Sequence, residues 1–122
     1  MYELRVKTRF AAAHRLTLVG HKCENLHGHN WNVEVCLRGE NLDEGGVLLD
    51  FGIIKKKLSA VIDELDHTFL NENPAFEGRA PSSEHIARHI ALALGKAVNT
   101  DSVRVFSVTA WESEDSCATF FA

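Results

Sequence analysis

Apolar and polar residues alternate from the first positions of the chain. Tyr2, Leu4, Val6, Thr8 and Phe10 share one parity, while Glu3, Arg5, Lys7 and Arg9 share the other. A period of two predicts a strand with one buried face. Trp31, Val33, Val35 and Leu37 against Asn32, Glu34, Cys36 and Arg38 repeat the pattern. Residues 14 to 28, in between, carry no period, and so long an irregular stretch in a small domain is usually functional.

After a polar turn over residues 39–46 the spacing becomes helical. Ile53, Ile54, Leu58, Val61, Ile62 and Leu65 supply an apolar face, and Asp50 stands where an N-cap belongs. Leu65-Asp66-His67 closes this helix, and residues 71–81 read as a loop holding both prolines. Ser82 can cap a second helix, with Glu84 near the positive end of its dipole and Ile86, Ile90, Ala93, Leu94 and Ala97 facing inward. Residues 103–112 and 116–121 form a closing hairpin around Ser113-Glu114-Asp115. The expected class is α+β in the order ββααββ, a four-stranded antiparallel sheet with both helices on one face.

Composition narrows the function. The 122 residues suit one domain spanning 1–122, with no repeat or linker to divide it. Thirteen basic against 17 acidic residues leave a net charge of −4, which argues against a nucleic-acid binder. No apolar run approaches the roughly 20 residues of a membrane span. The charged start Met1-Tyr2-Glu3-Leu4-Arg5 is unlike a secretory signal. Cys23, Cys36 and Cys117 are an odd set without framework spacing, so a reducing, cytoplasmic setting is expected. The unusual feature is seven histidines.

His27-Gly28-His29 places two imidazoles on one side of an extended segment. If the first two strands pair antiparallel, His14 lies beside them. Three imidazoles with an open fourth position are the pattern of a catalytic zinc site. Cys23, four residues before His27 and next to Glu24, is either a fourth ligand that closes a structural site or a thiolate base. Asp66-His67 suits either a capping role or a carboxylate that fixes an imidazole tautomer. His85 and His89 are four apart but lack the intervening glutamate of the zincin motif, so they read as a solvated helix face. Lys55-Lys56-Lys57 reads as the wet side of its helix. His21 and Lys22 border the metal loop and suit an anionic substrate.

Several blocks taken together resemble one family. These are Phe10-Ala-Ala-Ala-His14-Arg15, residues 21–30 with Cys23 and His27-Gly28-His29, Leu65-Asp66-His67, Pro81-Ser82-Ser83-Glu84, and Trp111-Glu112. The resemblance is to the 6-pyruvoyl-tetrahydropterin synthase / 6-carboxytetrahydropterin synthase family. It implies a tunnelling fold assembled into oligomeric barrels, a homohexamer built as a dimer of trimers. It implies zinc on His14, His27 and His29, and 7,8-dihydroneopterin triphosphate as substrate. Cys23 would be the proton-abstracting base, Asp66 and His67 its relay, and Glu112 the anchor of the pterin ring. Ser82, Ser83 and Lys22 are the further expected substrate contacts.

The expected product is 6-carboxy-5,6,7,8-tetrahydropterin, with acetaldehyde and triphosphate, on the queuosine pathway. Glu24 beside Cys23 departs from the cysteine type. It leaves open side-chain cleavage to 6-hydroxymethyl-dihydropterin for folate synthesis, alone or alongside the first activity. A 6-pyruvoyl-tetrahydropterin synthase is the third outcome. The opposing class is a non-catalytic module in which Cys23 and the three histidines close a structural zinc site.

Overall fold

The structure is a computed structural model that describes every residue except 18–24. Strands β1 (Tyr2–His14) and β2 (His27–Gly39) pair antiparallel over their whole length, from Tyr2 opposite Gly39 to His14 opposite His27. Helix α1 (Phe51–Asp63), strand β3 (Thr68–Phe69) and helix α2 (Ser83–Val98) follow. Strands β4 (Arg104–Ser113) and β5 (Ser116–Phe121) end the chain as an antiparallel hairpin.

The sheet has five strands in the order β3-β1-β2-β4-β5, and β3 runs parallel to β1. The expected sheet of four antiparallel strands is therefore corrected to a five-stranded mixed one. Two residues are too few to show a period. What makes β3 is the exit from α1, where His67 takes φ 58° and its N–H donates to the Ala11 carbonyl at 2.6 Å. That bond delivers Thr68 and Phe69 alongside Ala12 and Ala13.

Both helix caps form as their residue types require. The Asp50 carboxylate accepts from the Gly52 N–H at 2.6 Å, and the Ser82 hydroxyl accepts from the His85 N–H at 3.2 Å. Ile54, Leu58, Val61 and Ile62 of α1 are buried, but Ile53 is 48% exposed. Adjacent residues stand about 100° apart around a helix, so Ile53 cannot share the stripe set by Ile54. On α2 the buried stripe is Ile86, Ile90, Leu94 and Val98 with Ala87 and Ala91, and the expected Ala97 is exposed.

Helix α2 packs on β4 and β5, α1 packs on β1, and the helices touch each other. The buried residues of the strands, such as Val6, Phe10, Trp31, Val35, Leu37 and Val108, complete this core. A bulge lets Leu37 pair with Val105 and Cys36 with Ser107. The extra residue, Phe106, carries the Arg38 guanidinium 3.4 Å from its ring centre.

Candidate metal centre

The strand register assembles the centre. His14 lies opposite His27, and Ala12 lies opposite His29. On β1 the core-facing parity runs Val6, Phe10, Ala12, His14, and on β2 it runs from Leu37 back through Trp31 to His29 and His27. All three imidazoles thus leave the sheet on its core side, at the end of the hairpin where β1 stops and β2 begins. Glu112 shares the parity of the buried Val108 and Ala110 on β4, so its carboxylate joins them.

His14 is fully buried, while His29, Glu112 and His27 are partly exposed. His14 Nε2 lies 3.1 Å from His27 Nε2. Glu112 Oε1 sits 2.9 Å from His29 Nε2, 3.1 Å from His14 Nε2 and 3.8 Å from His27 Nε2. Among the described residues these four form a cluster whose ligand atoms all lie within 4.8 Å of one another.

The outer nitrogens decide what the inner ones can do. His14 Nδ1 is 2.8 Å from the Pro81 carbonyl, and His27 Nδ1 is 2.7 Å from the Asn25 carbonyl. A carbonyl only accepts, so each Nδ1 carries the proton and each neutral ring points a lone pair from Nε2 into the centre. Two such lone pairs 3.1 Å apart, with a carboxylate beside them, repel unless a proton or cation lies among them. Tetrahedral zinc bound at about 2.0–2.1 Å puts its ligand atoms about 3.3 Å apart, close to the spacing found. Imidazole nitrogens with a carboxylate oxygen are a donor set that zinc accepts. The residues fit the metal.

Gly28 pairs with Ala13, and a Cβ added there would find the Ala12 carbonyl at 4.0 Å, an ordinary contact. The sheet itself therefore does not demand glycine between the two histidines. The Asp66 carboxylate accepts from the Ala11 N–H at 2.9 Å and from His67 Nδ1 at 3.0 Å. The Ala11 N–H, and after it the His67 ring, hold that carboxyl below the usual aspartate range. His67 is 81% exposed and is not part of the four-residue cluster. It does line, together with Gly28 and His29, one open cavity of about 520 Å³.

Ser82 is engaged as the α2 cap and Ser83 is the half-buried first residue of that helix. Cys23, Glu24, Lys22 and His21 lie outside the described residues. His85 donates from Nδ1 to the Ala80 carbonyl at 2.6 Å. His89, expected on a solvated face, is instead partly buried with its ring 5.6 Å from Phe76. Nothing in the residue pattern points to the Pro81 and Asn25 carbonyls, because a backbone acceptor carries no side-chain signature. The placing of Glu112 against the imidazoles was open to the same parity argument that brought His14 to His29.

The family model for 6-pyruvoyl tetrahydropterin synthase matches residues 3–122. The chain belongs to that family of pterin-processing enzymes. It is 38% identical over 115 residues to a protein of Archaeoglobus fulgidus provisionally named 6-carboxy-5,6,7,8-tetrahydropterin synthase, covering 93% of this chain and 90% of that one. It is 32% identical over 109 residues to the dihydroneopterin monophosphate aldolase of Pyrococcus furiosus, covering 89% and 88%. Among solved structures, the 6-pyruvoyl tetrahydropterin synthase of Caenorhabditis elegans superposes with a TM-score of 0.86 at 27% identity, over 99% of this chain and 95% of the other.

Proposed function

We propose that the protein is a zinc-dependent lyase that converts 7,8-dihydroneopterin triphosphate to 6-carboxy-5,6,7,8-tetrahydropterin, releasing acetaldehyde and triphosphate, on the queuosine pathway. The observation that carries this reading is the convergence of His14, His27, His29 and Glu112 on one point. The name of the Archaeoglobus relative supports the product.

His14, His27 and His29 would hold the zinc, with His14 and His27 oriented by the Pro81 and Asn25 carbonyls. Bound there, zinc supplies Lewis-acid polarisation of the substrate side-chain oxygens. Cys23 takes the proton from the side-chain carbon, a task suited to a thiolate poised near neutrality. Asp66 fixes the His67 ring through Nδ1, which leaves Nε2 free to exchange that proton as a relay. Glu112 accepts hydrogen bonds from the amino group and ring N–H of the pterin. Ser82, Ser83 and Lys22 border the substrate.

The exposed His67 is completed as a relay by a second chain. The sheet offers edges for that assembly, since β3 covers only Ala12 and Ala13 of β1 and β5 carries no lysine or proline. A homohexamer is the proposed state, and a monomer in sedimentation at micromolar concentration would contradict it. The Pyrococcus relative favours a second reading, cleavage to 6-hydroxymethyl-dihydropterin. The test is to incubate the zinc-loaded protein with dihydroneopterin triphosphate and identify products by mass spectrometry. 6-Carboxytetrahydropterin with acetaldehyde is the expected result. 6-Hydroxymethyl-dihydropterin alone would establish the second reading, and an unconsumed substrate would overturn both.

A further inference from the structure

Between the two helices lies a groove of about 460 Å³ that the pterin reading does not use. Its size falls within the range of small-molecule sites. One wall is Lys57 and Val61 of α1 with its C-cap Glu64, and the other is the α2 stripe Arg88, Leu92 and Lys96. Each wall repeats at helical spacing, so every one of these side chains faces the same furrow.

The charge of the groove opposes that of the chain. Lys57, Arg79, Arg88 and Lys96 line it against the single carboxylate of Glu64, in a protein whose net charge is −4. A concave surface with one sign of charge over an apolar floor concentrates the opposite ion. Between the cations the floor is apolar, formed by the buried Val61 and Phe76 and the exposed face of Leu92. His89 also lines the groove, with its ring 5.6 Å from that of Phe76.

We propose that the α1–α2 groove is a second ligand site, binding a phosphorylated molecule with a flat apolar body, of the nucleoside diphosphate class. The phosphates meet Arg88, Arg79 and the two lysines, where the guanidinium groups can bind two oxygens at once. The flat body lies on Phe76 and Leu92. Lys57 thereby acquires a task that its neighbours Lys55 and Lys56, absent from the groove lining, do not share.

Calorimetric titration of the zinc-loaded protein with ADP, pyrophosphate and adenosine tests this directly. ADP is expected to bind once per chain, with pyrophosphate and adenosine each weaker by roughly tenfold or more, because charge and floor act together. Arg88→Glu and the exposed Lys96→Glu should each weaken ADP by roughly tenfold, while pterin turnover stays unchanged. Circular dichroism checks that both variants fold. Glu112→Gln, at the metal centre, should leave ADP binding intact.

Three results would overturn the proposal. No heat with ADP would show that the groove has no such ligand. Pyrophosphate as tight as ADP would remove the apolar body from the recognition. Loss of ADP binding in Glu112→Gln, with both groove variants unaffected, would place the anion at the metal centre.

Discussion

His14 and Pro81 are 67 residues apart in sequence, and the ring Nδ1–H of the first donates to the carbonyl of the second at 2.8 Å. The bond joins the last residue of β1 to the residue just before the Ser82 cap of α2. It fixes both the tautomer and the rotation of a fully buried imidazole. The position of the helix start therefore sets the aim of His14 Nε2 toward the point where His27, His29 and Glu112 converge.

That coupling is testable at the cap. Ser82→Ala is expected to lower stability by about 1 kcal/mol. It should also weaken zinc binding, because the Pro81 carbonyl loses its anchor, by roughly tenfold. Ser82→Asp restores the cap and should recover both. Zinc titration against a competing chelator, beside thermal denaturation, reads the two effects. Stability lost without any change in zinc affinity would separate the helix start from the metal.

The four converging acceptors allow two divisions of labour. If Glu112 anchors substrate, Glu112→Gln keeps nearly full zinc while turnover falls by roughly a hundredfold or more, as for lost polar recognition in a buried site. His27→Ala should instead leave the purified protein with little zinc, and Cys23→Ala should leave zinc in place. Metal analysis of the three variants decides the matter. Zinc lost equally in Glu112→Gln and His27→Ala would make the carboxylate a ligand.

Much of this centre was legible in the residues. The alternation in β1 and β2 sets which side each residue faces, so His14, His27 and His29 had to emerge together once the strands paired. Asp50 and Ser82 were legible as caps because their side chains compete for backbone N–H groups wherever a helix begins. Strand β3 was not legible. Thr68 and Phe69 pair with β1 because of the left-handed turn at His67, a conformation uncommon outside glycine that leaves no mark on the hydrophobic period. His89 misled for a related reason. A polar residue beside a helix stripe reads as solvated, yet Phe76, from a 3₁₀ turn inside the predicted loop, covers it.

Burial holds the His89 imidazole below its ordinary pKa of about 6.5, Lys96 pushes the same way, and Glu64 opposes them. The sign follows from proton uptake. Below about 6.5 the unfolded chain binds a proton at this residue while the folded chain still does not. The stability contribution is complete above that pH and is lost as pH falls toward the lowered folded value. His89→Gln removes the titration at similar size. Between pH 7 and 5 the melting temperature of the parent should fall more steeply than that of the variant. Parallel curves would show that His89 titrates alike in both states.

On the proposed reading, the division of labour between Cys23 and Glu24 would decide the product. An unperturbed thiol titrates near about 8.5 and a glutamate near about 4.3, so at neutral pH they suit different proton transfers. Abstraction from an activated carbon favours a group poised near neutrality, which a thiolate beside a cation becomes. A carboxylate, ionised throughout, suits cleavage that leaves the ring at the dihydro level. Cys23→Ala is therefore expected to abolish 6-carboxytetrahydropterin while sparing some release of 6-hydroxymethyl-dihydropterin, and Glu24→Ala to do the reverse. Product analysis by mass spectrometry on both variants separates the outcomes. If Glu24→Ala leaves every product and rate unchanged, Glu24 is a solvated acid and Cys23 alone carries the chemistry. If Cys23→Ala keeps the carboxylated product, the base must be sought elsewhere, with His67 the next residue to test.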